Sequence, residues 1–386
     1  MPTSEPLVER MRGFGTTVFA EMSLLAARTG ALNLGQGFPD TDGPPEVLEE
    51  AQRAIRDGVN QYPPGTGHVV LREAVARHQQ EWYGLTYDPA TEVLITTGAT
   101  EGVSAALLAL CETGDEVVAL DPTYDSYAAA ATMARAVLRP VTLRPPDFAL
   151  DLDALRAAIT PRTRVLLVNS PHNPTGRVLT EAELAGIAAL AVEHDLWVVC
   201  DEVYEHLTFD GHVHRPLAGF PGMRERTVLV SSAGKTFNVT GWKIGWVCAP
   251  PALVTAVNAT KQFLTFSGGA PFQPAVALGL GLPRERFAEI RDRLQAGRDL
   301  LTEGLRRAGL EVFGAQGTYF VNVDIASIGE TDGIAFCRGL PDRVGVVAVP
   351  TQVFHADPAS AATLVRFAFC KRPEVLAEAA ERLARL

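Results

Sequence analysis

Short runs that are apolar at nearly every position alternate with helix-length segments through the middle of this chain, and that alternation limits its fold more than any other feature. Residues 92–96 (EVLIT), 116–120 (EVVAL), 164–169 (RVLLVN), 196–200 (LWVVC), 227–231 (TVLVS) and 244–248 (IGWVC) each read as a strand. A strand apolar on both sides must be covered on both faces, which is the condition of a mostly parallel sheet with helices on either side. Helices are expected between them at 100–110 and 181–194, the second opened by Thr180 with Glu183 three residues on, the pattern of a capping box. The class is therefore α/β. Polar residues collect directly after these strands, at Asn173, Asp201 and Ser232. In open α/β sheets that carboxyl edge is where ligands bind.

After about residue 283 the pattern changes to a long helix (284–308), short strands at 319–323 and 364–369, and a closing helix from 373. This predicts a smaller α+β domain, joined by an isolated helix at 17–28. The expected division is a large domain over 41–283 and a small one made of 1–40 and 284–386, and a length of 386 residues suits more than one core. With 34 Lys and Arg against 45 Asp and Glu the net charge is −11, which argues against nucleic acid or an anionic membrane surface as partner. No stretch reaches the ~20 apolar residues of a membrane span, and the N-terminal MPTSEPLVERMRGFG has no apolar signal core. The five cysteines (Cys111, Cys200, Cys248, Cys337 and Cys370) are odd in number and contain no CxxC, so reduced, mostly buried thiols in a cytoplasmic protein are expected.

The chemistry concentrates in residues 231–246, SSAGKTFNVTGWKIGW. Its GKT triplet does not make a P-loop, because the second glycine such a loop needs would stand at position 229, which is Leu229. Lys235 reads instead as a nucleophilic amine: in a Ser/Gly-rich turn after a strand, flanked by aromatic residues, a lysine can be desolvated and bond to a carbonyl carbon. The partners such a lysine needs are an acid, Asp201 in DEVY; phenol and amide donors, Tyr204 and Asn173; and phosphate ligands, Ser232 and Lys243, three residues before and eight after it.

At these residues the chain resembles the fold-type-I, pyridoxal-phosphate-dependent class I/II aminotransferases. NPTG at 173–176, DEVY at 201–204, SSAGKTF around Lys235 and GWKIGW at 241–246 occur in order on strand ends, and the resemblance runs from NLGQGFPD at 33–40 to LVRFAFCKR at 364–372. It implies pyridoxal phosphate as cofactor. Lys235 would bind its aldehyde and move the substrate's α-proton, while Asp201 would pair with the ring nitrogen. Asn173 and Tyr204 would bond the ring oxygen and Tyr124 would stack on the ring. The amides of Ala99 and Thr100, with Ser232 and Lys243, would hold the phosphate. Tyr62 in NQYPPG resembles a residue that reaches the phosphate of the other subunit, which implies a homodimer with shared sites. Arg366 would clamp the substrate α-carboxylate, with the Gly37 backbone beside it and Phe19 as an aromatic wall. Each side chain has a plainer reading too. Arg366 suits a solvated edge strand, Tyr124 and Tyr127 a core, Glu202 a structural role, and His172 a loop lining. His212 and His214 lack a partner pattern for a metal, and none is expected.

Within the family, NLGQGFPD, SSAGKTF and GWKIGW are most similar to the branch of kynurenine aminotransferase, glutamine transaminase K and cysteine-conjugate β-lyase. GVNQYPPGTG, SPHNPTG, DEVYEHL and GGAPFQPAVAL are closer to actinobacterial N-succinyldiaminopimelate aminotransferases. Where the kynurenine branch carries bulky aromatics, this chain has Ser267, Gly268, Gly269, Ala270 and Pro271, which widens the pocket for a long polar donor. The expected reaction is transfer of an amino group between an amino acid and a 2-oxo acid, of the N-succinyldiaminopimelate type with glutamate and 2-oxoglutarate as co-substrates. The alternatives are a kynurenine, glutamine or methionine aminotransferase, a cysteine-conjugate β-lyase, or a specialised biosynthetic transaminase. A non-enzymatic ligand sensor would need a lost lysine or an N-terminal helix-turn-helix.

Overall fold

The computed structural model describes residues 6–15 and 17–386; the first five residues and Thr16, assigned above to the small domain, lie outside the described residues. After a two-residue strand β1 (Leu32–Asn33), the strands β2 (Val93–Thr97), β3 (Glu116–Asp121), β4 (Val137–Thr142), β5 (Thr163–Asn169), β6 (Trp197–Asp201), β7 (Thr227–Ser232) and β8 (Ile244–Cys248) follow in turn. The last seven form one sheet in the order β2-β8-β7-β6-β5-β3-β4. Its pairings are parallel except those of β8, which runs antiparallel to both β2 and β7.

Alternate residues of the central strands feed separate cores. Leu166 and Val168 of β5, Val118 and Leu120 of β3, and Val198 and Cys200 of β6 join one cluster. Val165, Leu167, Val117, Ala119 and Val199 join another. This is the two-faced burial that the continuous apolar runs require. The expected helix at 181–194 is Glu181–Glu193, and its capping box is complete: Thr180 Oγ1 accepts from the Glu183 amide at 3.2 Å and Glu183 Oε2 from the Thr180 amide at 2.7 Å. Such a cap contributes about 1 kcal/mol.

The strand β4 was not expected from the sequence. It carries Arg139 and Pro140 and is only partly buried, because it is the sheet's outer strand, where proline's missing N–H costs no ladder bond.

Four short strands, β9 (Glu311–Val312), β10 (Phe320–Asp324), β12 (Val349–Pro350) and β13 (Leu364–Ala368), form a second, antiparallel sheet in the order β12-β13-β10-β9, while β11 (Val346–Val347) pairs with β1. The 24-residue helix Arg284–Arg307 packs against Pro373–Leu383; a Cβ on Gly304 would come within 2.7 Å of Ala380 Cα, so only glycine permits that approach. The edge-strand reading of Arg366 is corrected here. Its strand β13 lies between β12 and β10, and the side chain is 1% exposed. All five cysteines are free, and four of them are buried. Among the described residues no helix is long and apolar enough to cross a membrane.

Candidate active site

At the carboxyl ends of β5 and β6 Asn169 and Asp201 are register partners, β7 runs two residues beyond Asp201's partner Val230 to end at Ser232, and the loops that follow bring in the remaining polar groups. A cavity of about 290 Å³ opens at this edge. Lining it are twelve of the residues singled out from sequence: Phe19, Gly37, Ala99, Thr100, Tyr124, Asn173, Asp201, Tyr204, Ser232, Lys235, Lys243 and Arg366. Of the residues to which the resemblance gives a role, Tyr62 is the exception. It is 82% exposed, outside the cavity, with its ring 5.8 Å from that of Phe266.

Lys235 follows β7 in the one-turn helix Ala233–Thr236, and its Nζ donates to Tyr319 Oη at 2.6 Å and to the Gly37 carbonyl at 3.4 Å. Burial pushes its amine down from 10.5 to about 8, an effect that nearby Cys370 and Asp201 oppose. Asp201 Oδ2 accepts from the Tyr127 hydroxyl at 2.7 Å, and its Oδ1 accepts from the Val203 amide at 3.3 Å. Burial raises the Asp201 carboxyl, and the Tyr127 hydroxyl pulls it back down. Burial likewise raises the phenols of Tyr204 and Tyr124, the latter to about 12.

Arg366 is the most unusual group in the cavity. Its Nη1 donates to Asn173 Oδ1 at 2.9 Å, while Nε and Nη2, also buried, have no partner. The guanidinium lies over Phe320 at 3.8 Å, with Phe354 at 4.8 Å and Phe19 at 5.3 Å from the ring centroids. Cation–π attraction offsets part of the cost of burial, which still lowers the guanidinium to about 10. The helix Gly98–Leu110 lines the cavity with its first three residues, Gly98, Ala99 and Thr100, and a helix N-terminus attracts anions. Gly98 has φ +74°, and a Cβ there would come within 3.2 Å of Lys243 Nζ. A larger residue at that position would crowd the lysine.

Several contributors escaped the sequence reading. Tyr319 holds Lys235, Tyr127 holds Asp201, and Asn169 accepts from the Asn173 amide at 2.8 Å while donating to the Asp201 carbonyl at 2.8 Å. Asn169 ends a predicted strand, so its polarity was a usable signal; for the two tyrosines no spacing pointed to a partner. Other candidates fall outside the cavity. His172 is buried against Thr175 at 2.8 Å, and Glu202 pairs with His214 at 3.0 Å. Among the described residues His78, Glu205 and His206 form the one group able to hold a metal ion, buried elsewhere in the core, with the two histidine Nε2 atoms 2.8 Å apart.

This cavity, with a buried lysine, a buried acid and a guanidinium only partly satisfied at the carboxyl edge of an α/β sheet, defines an enzyme that handles an amine and a carboxylate. The family model for aminotransferase class I and II matches residues 29–383. The solved structure of N-succinyldiaminopimelate aminotransferase from Mycobacterium tuberculosis is 54% identical, superposes with a TM-score of 0.95, and the match covers 98% of this chain and 99% of that one. Methionine aminotransferase of Escherichia coli is 39% identical over the full length of both chains, and its solved structure gives a TM-score of 0.94. Kynurenine–oxoglutarate transaminase of Dictyostelium discoideum is 35% identical, covering 97% of this chain and 94% of that one. The chain belongs to the class I and II aminotransferases, a family that works with pyridoxal phosphate. It is a transferase of amino groups with the fold-type-I architecture.

Proposed function

We propose that this enzyme binds pyridoxal phosphate in the cavity and transfers the amino group of N-succinyldiaminopimelate, with glutamate and 2-oxoglutarate as the co-substrate pair. The observation that carries the reading is the Arg366 guanidinium, buried with two nitrogens, Nε and Nη2, unpaired in the cavity that Lys235 also lines. A charge left so costly is matched by a carboxylate ligand, which Arg binds through a planar fork. The 54% likeness to the mycobacterial enzyme supports the substrate class.

The residues fit the cofactor: a buried acid with a hydroxyl donor on it, a lysine with a depressed pKa, and a helix N-terminus that a Cβ at Gly98 would crowd. When bound, pyridoxal phosphate supplies an aldehyde that condenses with amines and a ring that withdraws electrons from the substrate's Cα–H bond. Asp201, oriented by Tyr127, would hold the proton on the ring nitrogen. Asn173 Nδ2 and the Tyr204 hydroxyl would bond the ring oxygen; because Asn173 Oδ1 already accepts a hydrogen bond from Arg366 Nη1, one amide would couple cofactor and substrate clamp. Tyr124 would cover the ring face. The Ala99 and Thr100 amides, Ser232 and Lys243 would hold the phosphate. Arg366 would fix the α-carboxylate beside the Gly37 backbone, Phe19 would wall the side chain, and Lys235 Nζ would take the proton from Cα.

We infer further that the enzyme is a cytoplasmic homodimer with Tyr62 completing the neighbouring site, and that 41–283 and 1–40 with 284–386 act as its two domains. Tyr62 adjoins Phe266, and Phe263 and Leu264 close to it in sequence are 85% and 50% exposed, an apolar surface that supports a second copy as its cover. A second reading, a methionine- or kynurenine-type donor, draws on the aromatic lining of Phe19, Phe38, Tyr124 and Phe320. One experiment separates them. The near-visible spectrum of the cofactor-loaded enzyme is followed as N-succinyldiaminopimelate, glutamate, glutamine, kynurenine, methionine and a cysteine S-conjugate are added singly, with pyruvate assayed alongside. Loss of the cofactor band with the succinylated donor, reversed by 2-oxoglutarate, is expected. Loss only with methionine or kynurenine would move the enzyme to the second reading, and pyruvate from the conjugate with the band retained would make it a lyase.

A further inference from the structure

We propose that Tyr319 is a positioning residue for Lys235: its hydroxyl accepts a hydrogen bond from the lysine amine and so fixes where the amine's lone pair points whenever that amine is not bonded to cofactor. The inference rests on the reading of Lys235 given above and adds to it a residue outside the recognised motifs.

A phenol carries one hydrogen and can both donate and accept. The Tyr319 hydroxyl spends its hydrogen on the Gly37 carbonyl, to which it is hydrogen-bonded. Carbonyl oxygens only accept, so no other assignment satisfies that contact. Tyr319 Oη therefore meets Lys235 Nζ, 2.6 Å away, with a lone pair, and the lysine must be the donor. A neutral amine has two hydrogens and one lone pair. With one N–H committed to Tyr319 and the Gly37 carbonyl within 3.4 Å for the other, the lone pair is left free. That is the form in which a general base can take a proton.

The tyrosine is itself held rigidly. It is 1% exposed, its ring meets those of Tyr204 and Phe320 edge-on with centroids 5.2 and 4.8 Å away, and a Cβ on Gly37 would lie 3.2 Å from it. The other groups bearing on the amine are Cys370, Asp201, Lys243 and Arg366, with the Tyr204 ring 5.8 Å from Nζ. Among the described residues no other side chain is hydrogen-bonded to Nζ.

The test is Tyr319→Phe, which keeps the ring and removes only the acceptor, with Tyr319→Met as the second variant should the first be unstable. Two readouts are needed. In the cofactor-loaded enzyme kcat should fall about 10- to 100-fold, the scale of a misdirected catalytic group. KM should move less than about threefold, and the isotope effect on α-deuterated donor should rise, because proton removal becomes the slow step. In the cofactor-free protein the pH midpoint for capture of pyridoxal phosphate should fall by about half to one unit, since an acceptor on the amine favours its charged form. A loss of local packing alone would slow turnover without lowering that midpoint. If both variants retain kcat within twofold and the wild-type midpoint, the proposal is overturned. If the wild-type protein itself captures no pyridoxal phosphate, it is the reading of Lys235 that fails.

Discussion

Replacing Arg366 with methionine should separate function from stability in opposite directions. The guanidinium is buried with two of its nitrogens, Nε and Nη2, unpaired, and among the described residues no carboxylate forms an ion pair with it. Its fall from 12.5 to about 10 corresponds to about 3 kcal/mol of cost for holding the charge. Against that stand about 1 kcal/mol from the face of Phe320 and about 1 kcal/mol from the bond to Asn173. Methionine fills similar space among Phe19, Phe320 and Phe354 and makes favourable sulfur–aromatic contacts. The variant should thus be as stable as wild type or about 1 kcal/mol more so, a change in Tm of about 1 °C for a chain of this length. Catalysis should move the other way. Losing a charge-assisted carboxylate clamp costs about 2–5 kcal/mol, or roughly 30- to 5,000-fold in kcat/KM. Urea unfolding of the cofactor-free proteins and steady-state kinetics with one donor measure the two effects. A variant destabilised by more than about 2 kcal/mol would mean that the wild-type arginine is satisfied by the protein itself. A variant within tenfold of wild-type kcat/KM would remove Arg366 from the substrate site.

Lys235 should leave a pH signature on the ligand-free protein. Its folded pKa of about 8 lies below the ordinary 10.5, so the cost of holding the charge is fully present below about pH 8, and stability rises as pH climbs from about 8 to 10.5, where the unfolded chain binds the extra proton. Lys235→Met should therefore be more stable than wild type at pH 7, with the gap closing near pH 10; a gap independent of pH in urea titrations would refute the shift. Tyr127→Phe strips the donor from Asp201 Oδ2 and should cost about 1–3 kcal/mol of stability and loosen the cofactor. Unchanged unfolding and unchanged cofactor retention on dialysis would count against it. Gly37→Ala puts a Cβ 2.5 Å from Phe320 Cζ beneath the Arg366 guanidinium, and should lower kcat/KM about 10- to 100-fold without unfolding the protein. Wild-type kinetics would show that the ring yields freely.

What could be read from the sequence follows the range over which its causes act. The apolar runs of β3, β5, β6 and β7 are local, so the two-faced sheet was legible, and so were Asn173, Asp201 and Lys235, which stand on or just past strand ends. The outer strand β4 was not, because Pro140 and Arg139 break the pattern at the one place where a sheet tolerates them. The placement of β8 between β2 and β7, and of β13 between β12 and β10, depends on pairings distant in the chain, which is why Arg366 could be read as a surface arginine. The missing site residues share that cause. Tyr127 lies 74 positions from Asp201 and Tyr319 lies 84 from Lys235, and the contact between the foreseen Asn173 and Arg366 spans 193. Each tyrosine hydroxyl matters through the few groups it touches, Asp201 for Tyr127 and Lys235 with the Gly37 carbonyl for Tyr319, and nothing local distinguishes it from a core aromatic. The residues that carry charge or a nucleophile are thus announced by short motifs, while the neutral hydroxyls that aim them are visible only after folding. Substitutions at Tyr127 and Tyr319 therefore test the geometry of this site independently of its family motifs.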